Sequence, residues 1–182
     1  MRYYQFGFIL YSFTISAKLP QKFINDFSLE SKLIKVKFLE FFKKRGHAVI
    51  PSASLITTDE KGVTNPTLFN TAGMQPLIPY LLGESHPQGK RLVDAQKCLR
   101  TVDIDDIGDK THATFFEMLG NFSFGDYYKR EIISWAWEFI TKELKLPIDK
   151  LSVTVHHKDT EAYDIWNKEM GIPEDKIVKL DD

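Results

Sequence analysis

Two stretches of alternating residues stand near the middle of this chain. In the first, Gln96, Cys98 and Arg100 alternate with Lys97 and Leu99. In the second, His112, Thr114, Phe116 and Met118 alternate with Ala113, Phe115, Glu117 and Leu119. Side chains two apart share one face of a strand, so the pattern predicts two strands joined by a loop that carries Asp103, Asp105, Asp106 and Asp109. Paired as a hairpin, they bring Arg100 and His112 together at the loop end, with Phe116 one pleat further along.

Elsewhere the pattern changes period. Leu29, Leu33, Val36, Leu39, Phe41 and Phe42 recur at helical spacing and predict an amphipathic helix over Ser28–Arg45, opened by Asp26 or Ser28 and closed by Gly46. Lys43, Lys44 and Arg45 fall in its last turn, where they suit the helix dipole or form a patch for RNA. His47 to Ile50 predicts a short strand ended by Pro51, with His47 packed or solvated. Residues 51–66, rich in Ser, Thr, Asp, Gly and Pro, read as a loop. TLFNTAGMQPLIPYLLG then joins a short strand to a helical turn; Gly73 allows close backbone approach, and Met74 reads by itself as a core filler.

After the second strand, Ser123 or Asp126 is placed to cap a helix over about 127–144. Its apolar face is Ile132, Ile133, Ala136, Phe139 and Ile140, with Trp135 and Trp137 on its flanks. Leu151, Val153 and Val155 mark a half-buried strand. The adjacent His156 and His157 point to opposite faces of a regular strand and so make no ligand pair. Asp159 or Thr160 opens a helix that ends at Gly171 with Pro173 beyond, and Ile177–Leu180 begins a last strand.

Composition narrows the class. With 182 residues, 43% hydrophobic and 27% charged, the chain suits one soluble domain with a substantial core. A formal net charge of −1 limits any RNA contact to a local patch. The single cysteine, Cys98, excludes an internal disulfide and a multi-cysteine zinc site, fits a reducing compartment, and reads as a small buried strand residue. Residues 3–17 are uncharged and follow Arg2, yet the run is shorter than the roughly 20 apolar residues of a membrane span. It is diluted by Tyr, Ser and Gln and followed by a poor cleavage site, which favours a non-native leader or an appended strand or helix over an export signal. The acidic loop is no EF-hand: counted from Asp103, that motif needs an acidic or amide group at Ile107 and a glutamate at Thr114. A solvated turn is the ordinary reading, with magnesium or an amine as other occupants.

The chemistry concentrates on the hairpin. A guanidinium offers a phosphate two parallel charge-assisted hydrogen bonds and stays charged, so Arg100 is the candidate for an α-phosphate. His112 can add a donor to a terminal phosphate, and Phe116 can stack on a purine. Taken singly, a strand arginine forms a salt bridge and a strand phenylalanine packs; their joint placement on one face points to a nucleotide. Such a set catalyses by aligning an ionised carboxylate with phosphorus and neutralising developing charge.

An arginine on one strand, then His112, three residues, and Phe116 on the next resembles motif 2 of the class II aminoacyl-tRNA synthetases. THATFFEMLGNFSFGDYYK is similar to the signature of the alanyl-tRNA synthetase family. FLEFFKKRGHAVIPSASL, NPTLFNTAGM, KCLR, VTV, DTEAYDIW and GIPEDKI resemble that family in the same order, over roughly residues 34–182. The resemblance implies an α+β fold, a class II synthetase-like antiparallel β-sheet flanked by helices, incomplete here, with the motif 1 and motif 2 regions present and motif 3 absent. It implies an alanine–tRNA ligase: ATP-dependent activation of L-alanine to alanyl-adenylate, then transfer to tRNA(Ala). Arg100 would be catalytic and would hold the α-phosphate; His112, Phe116 and Met118 would complete the ATP-binding face. Met74 would line the alanine pocket, which reverses its reading as core.

The resemblance also implies ATP with Mg2+, no zinc in this segment, no membrane partner and a cytoplasmic setting. Residues 1–27 form an apolar leader outside it, and 28–182 the N-terminal portion of the aminoacylation domain. The loop TVDIDDIGDK departs from the common family form with a glycine pair and a lysine, and Lys110 is the available substitute. The NFW segment, motif 3, and the tRNA and editing parts would lie beyond Asp182, so residues 1–182 alone are expected to show little ligase activity. The rival reading is a non-catalytic adenine-nucleotide-binding or interaction module derived from a class II synthetase, and a third is a structural fragment with exposed sheet edges.

Overall fold

Alternating side chains make a stable ladder when each face of the strand pair meets a different environment, and among the described residues the longest ladder takes in most of the alternating stretches. The computed structural model describes residues 2–7, 13–19, 31–58, 64–101, 105 and 114–181. In chain order the elements begin with strands β1 (Arg2–Gly7) and β2 (Phe13–Leu19), helix α1 (Ser31–Lys43), and strands β3 (Ala48–Val49), β4 (Ile56–Thr58) and β5 (Thr64–Phe69). A 3-10 turn, Gln75–Leu77, runs into the short helix α2 (Ile78–Leu81). Strands β6 (Arg91–Leu99) and β7 (Phe115–Ser123) follow, then α3 (Lys129–Glu138), β8 (Leu151–His156), α4 (Thr160–Asp164) and β9 (Ile177–Leu180).

The chain forms two compact units, one of Met1–Lys37 with Tyr127–Asp182, the other of Phe38–Asp126. In the second, β6 pairs antiparallel with β7 from Arg91↔Ser123 to Leu99↔Phe115, and the ladder is extended by the bond from Arg100 N–H to the Thr114 carbonyl at 2.9 Å. The short β3 adds to β6 in parallel, so the sheet is mixed, of order β3-β6-β7. Leu77, Leu92 and Phe122 form a buried cluster on one side of this hairpin. Phe38, Phe41 and Phe42, from the last turns of α1, are also buried, with the rings of Phe38 and Phe42 4.8 Å apart. Gly46 ends that helix at φ 82, the left-handed conformation that glycine reaches without strain.

Part of the stretch 51–66 departs from its reading as a loop. Strands β4 and β5 pair antiparallel, Ile56 opposite Phe69 and Thr58 opposite Thr64, as a separate two-stranded sheet. Pro66 lies within β5; a proline cannot donate to a ladder, and a two-stranded ribbon leaves one side of each strand free of that demand. Composition hid this element because Ser, Thr and Pro signal turns more strongly than a two-stranded edge signals itself.

In the first unit the sheet order is β1-β2-β8-β9, with β8 and β9 parallel. The alternation of Leu151, Val153 and Val155 survives intact: all three are buried, and the residues between them are half-buried. Helix α3 buries Ile132, Ile133 and Ala136, and the chain continues as a π turn, Phe139–Glu143, that buries Phe139 and Ile140. Neither Ser123 nor Asp126 caps it. Glu131 accepts from the Tyr128 backbone N–H at 3.2 Å at its start, while Ser123 Oγ accepts from the Asp126 N–H at 3.3 Å and Asp126 pairs with Arg91. Asp159 caps α4 as expected, accepting from Ala162 N–H at 3.0 Å, and Gly171 at φ 70 ends that segment.

His156 and His157 form no shared ligand set among the described residues, although they do not point apart as in a regular strand. The strand ends at His156 and the chain turns, which brings the two rings to 4.6 Å and pairs His157 with Asp181. The described residues therefore carry α+β character, with both larger sheets mixed rather than purely antiparallel. Asp26, Ser28, His112 and Lys110 lie outside the described residues, as does the acidic loop apart from Thr101 and Asp105.

Candidate functional site

Register decides what shares a face. The pairs Leu92↔Phe122, Asp94↔Gly120, Gln96↔Met118 and Cys98↔Phe116 lie on one side of the β6-β7 hairpin, and Arg100 opposite Thr114 continues the row. The face therefore runs from an apolar base, through polar Asp94 and Gln96, to Arg100 at the loop end.

A second segment is tied to this face. Asn70 is buried, its amide donates to the Ser54 carbonyl, and its own carbonyl accepts from Leu99 N–H at 2.9 Å. Gly73 N–H donates to the Met118 sulfur at 3.2 Å. Gln75 Oε1 accepts from Thr71 N–H at 2.9 Å, which closes the loop between Asn70 and Gln75. The close approach expected at Gly73 is thus real: a Cβ there would lie 3.6 to 3.8 Å from Phe122, Gln96 and Met118.

Arg100 and Phe116 meet at the tip of this arrangement. The guanidinium carbon stands 5.4 Å from the centre of the Phe116 ring, and Nε donates to the Thr71 carbonyl at 3.0 Å. Holding the guanidinium by Nε leaves its paired terminal nitrogens to meet an anion in a bidentate manner. Arg100 is exposed and Phe116 half-buried, so a ligand can reach both. Met118 lies one pleat inward beneath Gly73, and Met74 is half-buried against the Leu77, Leu92 and Phe122 cluster. The structure thus joins Arg100, Phe116 and Met118 on one face; His112 lies outside the described residues.

Gln96 was legible only as a position on the face of Cys98 and Arg100, and its work needed the fold. It is fully buried; Oε1 accepts from Ala53 N–H at 2.8 Å, and Nε2 donates to the carbonyls of Ala53 and Lys97 at 3.2 and 2.9 Å. It pins the segment after β3 to the hairpin. Thr71, whose backbone orients Arg100, carries no side-chain signal that sequence reasoning could use. Asp94 carries one: it sits two residues before Gln96 on the inward face. Burial pushes its carboxyl up to about 7, against an ordinary value of 3.8.

Cys98 is buried, its Sγ lies 3.6 Å from the Gln96 carbonyl, and burial pushes its thiol up, as fits an inert core residue. His47 is packed: it is buried edge-on to Phe42, with ring centres 5.0 Å apart, and Nδ1 stands 3.0 Å from the Phe42 carbonyl. Burial lowers its pKa from 6.5 to about 4, so the ring is neutral and Nδ1–H is the donor. Among Lys43, Lys44 and Arg45, the Arg45 guanidinium folds back over the Phe41 ring at 3.4 Å and donates to the Phe41 carbonyl at 3.0 Å. For Arg45, this is the helix-end role.

Among the described residues no group of three or more His, Cys, Asp or Glu is placed to hold a metal ion, and no helix is long and apolar enough to cross a membrane.

Comparison with known proteins shows which family the sequence matches. The family model described as tRNA synthetases class II (A) matches residues 33–182. An alanine–tRNA ligase from Desulforamulus reducens is 52% identical over 153 residues, covering 84% of this chain and 17% of the relative. One from Alkaliphilus oremlandii is 52% identical over 148 residues, 81% of this chain and 16% of the relative. One from Thermotoga petrophila is 50% identical over 153 residues, with 84% and 17% covered. The chain spans about a sixth of the length of these curated relatives.

Proposed function

The chain belongs to the tRNA synthetases class II (A), and on that premise we propose that it supplies the ATP-holding part of a site that activates L-alanine for attachment to tRNA(Ala). The observation that carries this reading is the position of Arg100 over Phe116 with its Nε held by the Thr71 carbonyl. Arg100 takes the α-phosphate, Phe116 stacks on adenine, Met118 supports that face from below, and His112 serves the terminal phosphates. Met74, which packs against the Leu77, Leu92 and Phe122 cluster, is the residue proposed to line the alanine pocket. Residues 28–182 are the portion of the aminoacylation domain that carries these groups; residues 1–27 lie outside the family resemblance, although β1 and β2 within them extend the sheet of β8 and β9.

In the reaction, a carboxylate oxygen of alanine attacks the α-phosphorus and pyrophosphate leaves. A hydroxyl at the tRNA 3' end then attacks the alanyl carbonyl, and AMP leaves. The first nucleophile is already ionised, so this step asks for alignment and for neutralised charge, both of which a tethered guanidinium supplies. Magnesium enters only as the ion that accompanies ATP, and the described residues are assigned no part in holding it. The single buried cysteine and the need for ATP and tRNA support a cytoplasmic setting.

The alanine–tRNA ligase names of the relatives favour this reading over a non-catalytic nucleotide-binding module. The test measures ATP binding by residues 1–182 and alanine-dependent ATP–pyrophosphate exchange by the enzyme that contains them. Arg100→Ala is expected to weaken ATP binding at least tenfold and to suppress exchange. Unchanged binding and exchange in that variant would sink the assignment, and brisk exchange by residues 1–182 alone would overturn the idea that other parts complete the site.

A further inference from the structure

Below the Gln96 row, the inward face of β6 borders a cavity of about 290 Å³. Asp94 lines it at 2% exposure, and its Oδ1 has no hydrogen-bond partner among the described residues. No strand alternation requires a carboxyl here, and neither the nucleotide face nor the alanine side in the reading above uses one. Two rings also line it, Tyr80 and His86, edge-on to each other with centres 4.5 Å apart, together with apolar Leu77 and Ile50. His86 Nδ1 accepts from the Gln88 backbone N–H at 3.1 Å, so that nitrogen is already engaged.

We propose that this cavity is a binding site for a small organic cation, a primary amine on a short apolar stem, whose ammonium group pairs with the Asp94 carboxylate. A buried acceptor without a donor favours a ligand that brings donors and positive charge, and the faces of aromatic rings favour the same charge. Apolar Leu77 and Ile50 receive the stem. The volume is at the lower end of the range for ligand cavities, which suits a molecule of about four to eight heavy atoms. The chemistry also excludes neighbouring classes. Among the described lining residues there is no lysine or arginine, so a phosphate, or the carboxylate of a free amino acid, meets no counter-charge. A metal ion finds one carboxylate rather than a ligand set.

The test titrates the 182-residue chain with n-butylamine at pH 8 and pH 5, following the Tyr80 and His86 ring resonances by NMR, with KCl at matched ionic strength and L-alanine as parallel arms. Saturable binding is expected at pH 8, at least tenfold weaker at pH 5, where Asp94 is protonated and the amine keeps its charge. Asp94→Asn, checked for folding by circular dichroism, is expected to lose binding at pH 8 by a similar factor. The comparison of the two pH values on the unaltered chain needs no variant to fold. Absence of saturable butylamine binding overturns the proposal, as does equal binding at the two pH values. An equal response to KCl would make the site one for inorganic cations, and an equal response to L-alanine would make it an amino-acid pocket; either defeats the amine site. None of these outcomes bears on ATP binding through Arg100.

Discussion

The backbone N–H of Gly73 donates to the thioether of Met118 at 3.2 Å, and this contact fastens the loop that orients Arg100 to the hairpin that carries it. Met118→Ala removes the acceptor and the apolar contact together. It is expected to destabilise the chain by about 2 kcal/mol and to weaken ATP binding through the loosened Thr71 tether. Met118→Leu, which keeps most of the volume, is expected to cost less than about 1.5 kcal/mol. Urea unfolding and nucleotide titration of both variants check this.

Two glycines on this face differ in what they tolerate. A Cβ on Gly73 meets its nearest neighbours at 3.6 Å or more, ordinary contact, so Gly73→Ala is expected to change stability by less than about 1 kcal/mol. A Cβ on Gly120 would stand 2.6 Å from the buried Phe122 ring and 2.9 Å from Asp94 Oδ1. Gly120→Ala is therefore expected to cost about 3 kcal/mol or to lower the soluble yield. A Gly120→Ala melting curve that overlays the unaltered one contradicts this packing.

His47 and Asp94 give opposite pH dependences. The His47 pKa falls from 6.5 to about 4 on folding, so the unfolded chain binds the extra proton between those values and stability rises with pH, by roughly 3 kcal/mol across the window. The Asp94 pKa rises from 3.8 to about 7, so the folded chain binds the extra proton and stability falls with pH, by roughly 4 kcal/mol across that window. The charged groups near His47 are Arg45, Arg91 and Asp126; Tyr80 and His86 line the cavity with Asp94. From about pH 4 to 6.5 the two contributions nearly cancel, and above that the Asp94 penalty continues to about pH 7. Asp94→Asn is expected to unmask the rising His47 limb and to be more stable than the unaltered chain at pH 8. Urea midpoints from pH 4 to 8 for both proteins reveal the two slopes, and parallel curves would refute the assignment.

Arg100→Lys keeps a charge but loses both the Nε bond to Thr71 and the two-pronged terminal face. It is expected to weaken ATP binding nearly as much as Arg100→Ala, by about tenfold or more, which is about 1.4 kcal/mol. Calorimetric titration separates the readings: near-complete rescue by lysine would mean that Arg100 acts only as a point charge.

Period and punctuation alone determined much of this protein. The alternation over 96–119 predicts which side chains share a face, because strand side chains alternate whatever the strand is packed against. It placed Arg100, Phe116 and Met118 together, as the structure does. Asp159, Gly46 and Gly171 marked helix ends for reasons local to a single turn. Local pattern did not reach contacts between distant segments. The ribbon of β4 and β5, the Thr71 carbonyl on Arg100, the Gln96 clamp on Ala53 and the lone carboxyl of Asp94 all depend on backbone groups and burial. A backbone carbonyl is the same atom in every residue, and burial belongs to the packed chain. The sequence therefore named the groups proposed to meet a nucleotide, and only the tertiary structure decided which neighbours hold them and which carboxyl is left without a partner among the described residues.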